Sequence, residues 1–510
     1  MKKDELKQLI NQVKKYNLGK AFDTPKEFDK WLNKLNTKQI QNINSLNIEP
    51  SKIHFPKELL INENLLNCDD YSNRIDAMLK LKNADGWYHL FDRLCSLNFL
   101  NSKNYYEDME IMSKAISIQH PLWIISKDSF INSPYHKEDL KLIVEARDTK
   151  KEDGKELDWL VEEALTTVAG DSNSINSHYH REDMKLIATS GSECLQMSNS
   201  YPEHSLNNLA INNVSLKDKY HLENMKILAK NYSKSKYLYK LMTNPEIIKS
   251  KYYRNEIDAI INSKSLITAI AIYYYVLNPN DSLTSRDYNN LFYDLNLDCS
   301  DISLITRENT VRNNNNSNYL KHLQLLNKIE DKYVLYIESL LSNKFFIDSK
   351  NFEYDLNTLL TIKDKDTFMD LYKLMFDEQF LESTHHIRDL DLISKTENRD
   401  LRSLLISKAI DEDSIISSNH DYDMKYISKL DLNGIDDDFF QKMKYYLFTK
   451  SGINHLEHVE RLEKLLKGEN IQTGDAILNH LDYLENNLDK VVSSNRESKV
   501  LSKIRKVFKK

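Results

Sequence analysis

The eleven residues SPYHKEDLKLI (133–143) return almost unchanged as SHYHREDMKLI (177–187), 44 residues further on. A chain that writes one segment twice builds the same local structure twice, and such repetition constrains a fold more than residue propensity does. With the apolar residue after the acid as anchor (Leu140, Met184), the frame also fits DKYHLENMKIL (Met225), SKYYRNEIDAI (Ile257) and SKNYYEDMEIM (Met109). It fits CDDYSNRIDAM (Ile75), SKNFEYDLNTL (Leu356), STHHIRDLDLI (Leu390) and SSNHDYDMKYI (Met424), with weaker copies at Tyr288, Leu323 and Val459. The anchors stand 31 to 44 residues apart, most often 34.

Each column of the frame has a physical reading. Seven residues before the anchor stand Ser102, Ser133, Ser177, Asp218, Ser250, Ser349, Ser383 and Ser417. Short oxygen side chains there predict helix N-caps. Four residues before the anchor the side chain is aromatic: Tyr71, Tyr105, His136, His180, His221, Tyr253, Tyr319, Phe352, His386, His420 and His455, with Thr284 the exception. This position, the anchor and the residue three further on share one helical face, the predicted core face. The residue after the anchor is polar in every copy (Lys141, Lys185, Asp258, Glu460), which predicts a solvent stripe. The residue before it is acidic at Asp108, Asp139, Asp183, Glu256, Asp287, Asp355, Asp389 and Asp423.

Second helical patterns lie between these segments: WYHLFDRLCSLNFL (87–100), YLYKLMTNPEII (237–248), KYVLYIESLLSNKFFI (332–347) and FMDLYKLMFDEQFL (368–381). Only 9 Gly and 8 Pro occur in 510 residues, too few turn formers for a sheet protein. The expected unit is therefore helix, polar turn, helix. One such hairpin cannot bury both faces, so the units must stack. In length and pattern the array resembles the α-solenoid class of tetratricopeptide and HEAT repeats, although W-x₂-LG-x₂-Y is missing. The resemblance implies an all-α, right-handed solenoid of about twelve helix–turn–helix repeats with helical caps, and no catalytic residue. Expected boundaries are a cap over 1–57, repeats over 58–470, and a cap with a basic tail over 471–510.

The ends and interruptions depart from the frame. TPKEFDKWLNKL (24–35) begins with a Thr cap and a first-turn proline. DTKKEDGKEL (148–157) lengthens one spacing, and RENTVRNNNNSNY (307–319) reads as a polar loop. The tail RESKVLSKIRKVFKK (496–510) carries seven Lys or Arg against one Glu, a net +6 that leaves −13 on the rest of a chain of formal charge −7. Lys503, Arg505, Lys506, Lys509 and Lys510 could meet nucleic acid or an anionic membrane, or sit in water while the apolar face docks. Cys68, Cys95, Cys194 and Cys299 are far apart and form no CxxC, which fits a reducing cytoplasm. The longest apolar run, LITAIAIYYYVL (266–277), is too short to span a bilayer.

The histidines invite metal chemistry, in SHYH (177–180), THHI (384–387), HLEH (455–458) and HDYD (420–423). Metal ligands must converge within a few ångströms, whereas equivalent residues of stacked helices lie roughly 8–10 Å apart. Tyr and Phe replace His in the column, so packing is the expected role, with a bond to a neighbouring carbonyl or carboxylate where the ring is buried. On that reading His180→Phe should cost less stability than His180→Ala. The acidic column has two readings: an exposed ridge for a basic partner at Asp108, Asp139, Asp183, Asp355, Asp389 and Asp423, or a structural bond to the neighbouring hairpin. No nucleotide fingerprint, nucleophile elbow or P-loop occurs, so no cofactor is expected. The expected function is a non-catalytic scaffold for a protein or peptide. A nucleic-acid-binding repeat is the alternative, and an enzyme with a site grafted on the solenoid the third reading.

Overall fold

Helix ends are written into this chain as clearly as helix faces. The computed structural model describes residues 3–81, 88–115, 117–146, 159–190, 195, 205–277, 318–432 and 437–467. Every secondary-structure element among them is helical. The chain divides into two compact units, Met1–Leu277 with Asn314–Asp331, and Asn278–Asn313 with Lys332–Lys510.

The repeat has one helix more than the hairpin read from sequence. In Arg399–Ala409, Glu412–Ile415 and His420–Ile427, a long helix leads to a single-turn helix and then to the helix that holds the anchor. The second helical patterns break in the same way: Ser235–Met242 stops before Pro245–Ile248, Asp331–Ser342 before Lys344–Ile347, and Lys365–Leu374 before Glu378–Glu382. The break is made by an oxygen side chain that caps the single turn, answering backbone N–H groups orphaned at a helix start. Asp377 accepts the N–H of Phe380 at 2.9 Å, Asp411 that of Ser414 at 2.9 Å, and Asn343 that of Phe346 at 3.0 Å. Asn244, Asp171 and Thr449 act alike.

The serine column does not hold the N-caps of the anchor helices. Ser133 Oγ accepts the N–H of Tyr135, two residues on, at 3.1 Å, and the helix opens only at His136. Ser102, Ser177, Asp218, Ser250, Ser383 and Ser417 do the same at 3.0–3.1 Å. Each closes a tight turn between the single-turn helix and the anchor helix, a local side-chain bond of the ST or Asx kind. Ser349 is the exception: its buried hydroxyl has no hydrogen-bond partner among the described residues.

The face assignments hold. Anchors Ile75, Leu140, Met184, Met225, Ile257 and Leu390 are fully buried, and Lys141, Lys185, Lys226, Asp258 and Lys425 meet water. In the first unit the anchor helices Tyr71–Met78, Tyr105–Met112, His136–Glu145, His180–Thr189 and His221–Lys230 pack side by side in that order. Thr24 caps Pro25–Lys34 through a reciprocal box with Glu27. No helix among the described residues is long and apolar enough to cross a membrane. Thr268–Val276 of Leu266–Leu277 are buried.

The weaker copies fare differently. The Tyr288 copy lies outside the described residues, and Tyr319–Leu326 packs directly on Tyr253–Ile261. Tyr319 Oη donates to Glu256 Oε1 at 2.9 Å, and Asn327 donates to the Ala259 carbonyl at 3.2 Å. The copies anchored at Ile257 and Leu323 are therefore neighbours. The last copy is shifted by three residues. Its helix opens at His458, its buried anchor is Leu462, and Val459 is partly exposed. Gly452 is required here, because a Cβ would stand 2.2 Å from the Tyr445 carbonyl oxygen.

The interrupting cap carries a testable weight. Asp411→Ala should lower unfolding stability by about 1 kcal/mol in a denaturant titration. An unchanged midpoint would show that the single turn forms without its cap.

Candidate functional site: a buried histidine–aspartate spine

The aromatic and acidic columns meet. Because the anchor helices lie side by side, the fourth residue before one anchor faces the residue just before the preceding anchor. In the first unit His136 Nε2 lies 2.8 Å from both carboxylate oxygens of Asp108, His180 Nε2 2.9 Å from Asp139, and His221 Nε2 2.9 Å from Asp183. In the second, His386 reaches Asp355 at 2.5 Å, His420 reaches Asp389 at 2.8 Å, and His458 reaches Asp423 at 2.6 Å. The six carboxylates expose at most 2% of their surface.

These positions correct the partner-facing reading of Asp108, Asp139, Asp183, Asp355, Asp389 and Asp423. A carboxylate without exposed surface presents nothing to a partner, and each bonds the neighbouring repeat. The basic-tail residues Lys503, Arg505, Lys506, Lys509 and Lys510 lie outside the described residues, as do Asp287, Cys194 and Cys299. Cys68 and Cys95 are free thiols, and burial pushes Cys95 up to about 12.

Where a column changes, its partner changes with it. Tyr253 meets Asn224, whose amide donates to the phenol oxygen at 2.6 Å, and Tyr319 meets Glu256. Tyr105 meets Arg74, whose guanidinium lies 4.1 Å from the ring centroid, a cation–π contact. Phe352, the one phenylalanine of the column, follows the copy that has His322 in place of an acid.

The second ring nitrogen is also held. Nδ1 of His136, His386 and His458 lies 2.8–3.0 Å from the carbonyl oxygen six residues upstream, of Phe130, Phe380 and Gly452. Nδ1 of His180, His221 and His420 lies 2.8–2.9 Å from the hydroxyls of Ser174, Ser215 and Ser414, at the same offset. With both nitrogens engaged the ring cannot turn.

Burial pushes the carboxyls of Asp108, Asp139 and Asp183 above the usual range, against the pull of their histidines. At His136 burial opposes the charged ring. The bond to Asp108 and its charge nevertheless carry the imidazole above its ordinary value.

Outside the spine, Lys408 is fully buried on the long helix Arg399–Ala409, 2.8 Å from Asp423 Oδ2 and bonded to the Leu447 carbonyl, and burial lowers its pKa. Buried Arg402 pairs with Asp370 at 2.7 Å. On the outer surface Lys137 pairs with Glu107, Arg181 with Glu138, Arg254 with Glu223 and Arg388 with Asp421 across successive copies. Exposed rungs of this kind contribute little each. An open recess of about 280 Å³ is lined by Trp123, Lys127, Glu163, Thr166, Thr167 and Asp171 among others. Its hydroxyls are engaged with their own helix carbonyls, and Asp171 caps a helix. No group of three His, Cys, Asp or Glu among the described residues could hold a metal ion.

The pairing reverses one expectation. His180→Phe removes the donor that holds buried Asp139 and should destabilise by about 3–5 kcal/mol, as stranding one partner of a buried pair does. Phenylalanine tolerated within about 1 kcal/mol in chemical denaturation would contradict the spine. A second test is pH. His322, whose Nδ1 lies 2.8 Å from the Tyr275 hydroxyl, is lowered to about 4 by burial. The unfolded chain takes up a proton near 6.5 while the folded chain does not, so this stability is present above that value and is lost as pH falls toward 4. His322→Gln should flatten the stability–pH curve in this window, and an unaltered acid limb would refute the assignment.

No family model, no curated protein and no solved structure matches the chain.

Proposed function

We propose that the chain is a non-catalytic helical-repeat scaffold whose stacked copies present an extended surface to a protein or peptide. The observation that carries the reading is the fate of the chemistry-bearing residues. The buried histidines and acids that could have formed a reactive site bond one repeat to the next, while the solvent stripe varies freely between copies. Recurring positions that pack and varying positions that face outward are the division expected of a repeat scaffold. In this reading the copies form a right-handed solenoid of the tetratricopeptide and HEAT class, working in the cytoplasm without cofactor.

The test is capture of partners from the native cell with the full chain and with Lys141→Glu/Lys185→Glu/Lys226→Glu, which alters three successive stripe positions and no spine residue. The scaffold reading expects a defined protein partner whose capture falls at least tenfold in the triple variant. Salt-sensitive nucleic-acid binding that survives deletion of 496–510 would favour the alternative and overturn it.

A further inference from the structure

The six spine pairs look alike from the aspartate side and differ on the other side of the ring. His136 Nδ1 faces the Phe130 carbonyl and His386 Nδ1 the Phe380 carbonyl, both at 3.0 Å. A carbonyl oxygen only accepts, so Nδ1 must carry a proton. Nε2 of the same rings faces Asp108 or Asp355, and that contact needs a proton of its own. The pair thus holds two protons, one on Nδ1 and one shared between Nε2 and the carboxyl. His180, His221 and His420 face the hydroxyls of Ser174, Ser215 and Ser414. A hydroxyl, unlike a carbonyl, can donate, so it allows an unprotonated Nδ1 and a neutral ring whose Nε2–H serves the aspartate.

We infer that the residue six positions before each spine histidine sets its tautomer, so that carbonyl-held pairs keep one proton more than hydroxyl-held pairs and act as pH-sensitive joints in the stack. His458 faces the Gly452 carbonyl but shares Asp423 with Lys408, so the rule is drawn for the other five.

The joints loosen in one direction. A carbonyl-held ring that loses its extra proton turns a lone pair either to the carbonyl or to the carboxylate, and both contacts are repulsive. The unfolded chain releases this proton near the ordinary imidazole value. The contribution of the His136 joint, whose imidazole is held above its ordinary value, is therefore full below that value and is lost as pH rises through the higher folded one. A hydroxyl-held ring escapes the conflict, because a serine O–H can donate to Nδ1 or rotate to accept from it.

Both carbonyl-held rings lie among acids and bases. Elements packed on His136–Glu145 bring Glu107 and Asp108, His120, Glu162, and His180 with Asp183, and its own turn brings Asp139. Those around His386–Lys395 bring Glu353 and Asp355, Asp370 paired with Arg402, Glu378 and Glu382, and His420 with Asp421 and Asp423, besides its own Asp389. Acids and bases accompany both, and the acceptor at Nδ1 is what differs from the serine copies.

The test is long-range ¹H–¹⁵N correlation on the full chain with ¹⁵N-histidine, from pH 6 to 9, with each ring assigned by single substitution. At pH 7.5 Nδ1 should be protonated in His136 and His386 and a bare acceptor in His180, His221 and His420. Ser174→Ala should convert His180 to the protonated class and leave His420 unchanged, and Ser414→Ala should do the reverse. Backbone amides of His136–Glu145 should lose at least fivefold more hydrogen-exchange protection between pH 6 and 9 than those of His180–Thr189. A bare Nδ1 at His136 or His386 would overturn the rule. So would a His180 or His420 ring indifferent to loss of its serine, or equal loss of protection in the two helices.

Discussion

Each anchor helix of the spine is tied to the one before it by a single buried bond, from an imidazole Nε2 to a carboxylate. The bond forms only when two columns on different helices come into line, so it fixes the register between neighbours as well as their separation. Apolar anchors such as Leu140 and Met184 supply most of the burial, yet an apolar face tolerates sliding by a turn. A buried carboxylate does not, since misalignment would leave Asp139 or Asp183 without its donor in a region closed to water. The spine thus selects one stacking among several that hydrophobic packing would allow.

The pairs recur with a local grammar. One oxygen caps the single-turn helix, a second closes the turn that follows, and the ring opens the anchor helix three residues later. Asp171, Ser177 and His180 show it in the first unit, and Asp411, Ser417 and His420 in the second. Both units place three successive histidine–aspartate pairs in the spine, built from the same short string of side chains.

Much of this was legible in the residues. Repetition, helical period and polar stripe identified the anchor helices and their buried face, because spacing reports burial directly. The columns themselves were visible too, but the step from two columns to one bond requires knowing which helix lies beside which. That knowledge is tertiary, and without it Asp139 can be read as surface ridge or as structural partner. The serine three before the turn residue, in S-x-x-S-x-x-H at Ser174 and Ser414, is a signal open to sequence reading. Lys408 had none, since nothing nearby in the chain marks a lysine for burial. The misplaced last copy has a physical cause as well. A frame fitted by apolar spacing accepts Val459 as readily as Leu462, and only the ring that meets Asp423 decides between them.

The central claim is that histidine–aspartate bonds couple successive repeats, and a double-mutant cycle on Asp389 and His420 measures it without reference to any function. Asp389→Ala, His420→Ala and the double variant of the full chain would be compared by denaturant unfolding. The account predicts a coupling energy of about 1–3 kcal/mol, so that the double variant is markedly more stable than the sum of the single losses implies. Losses that add, with coupling below about 0.5 kcal/mol, would contradict it.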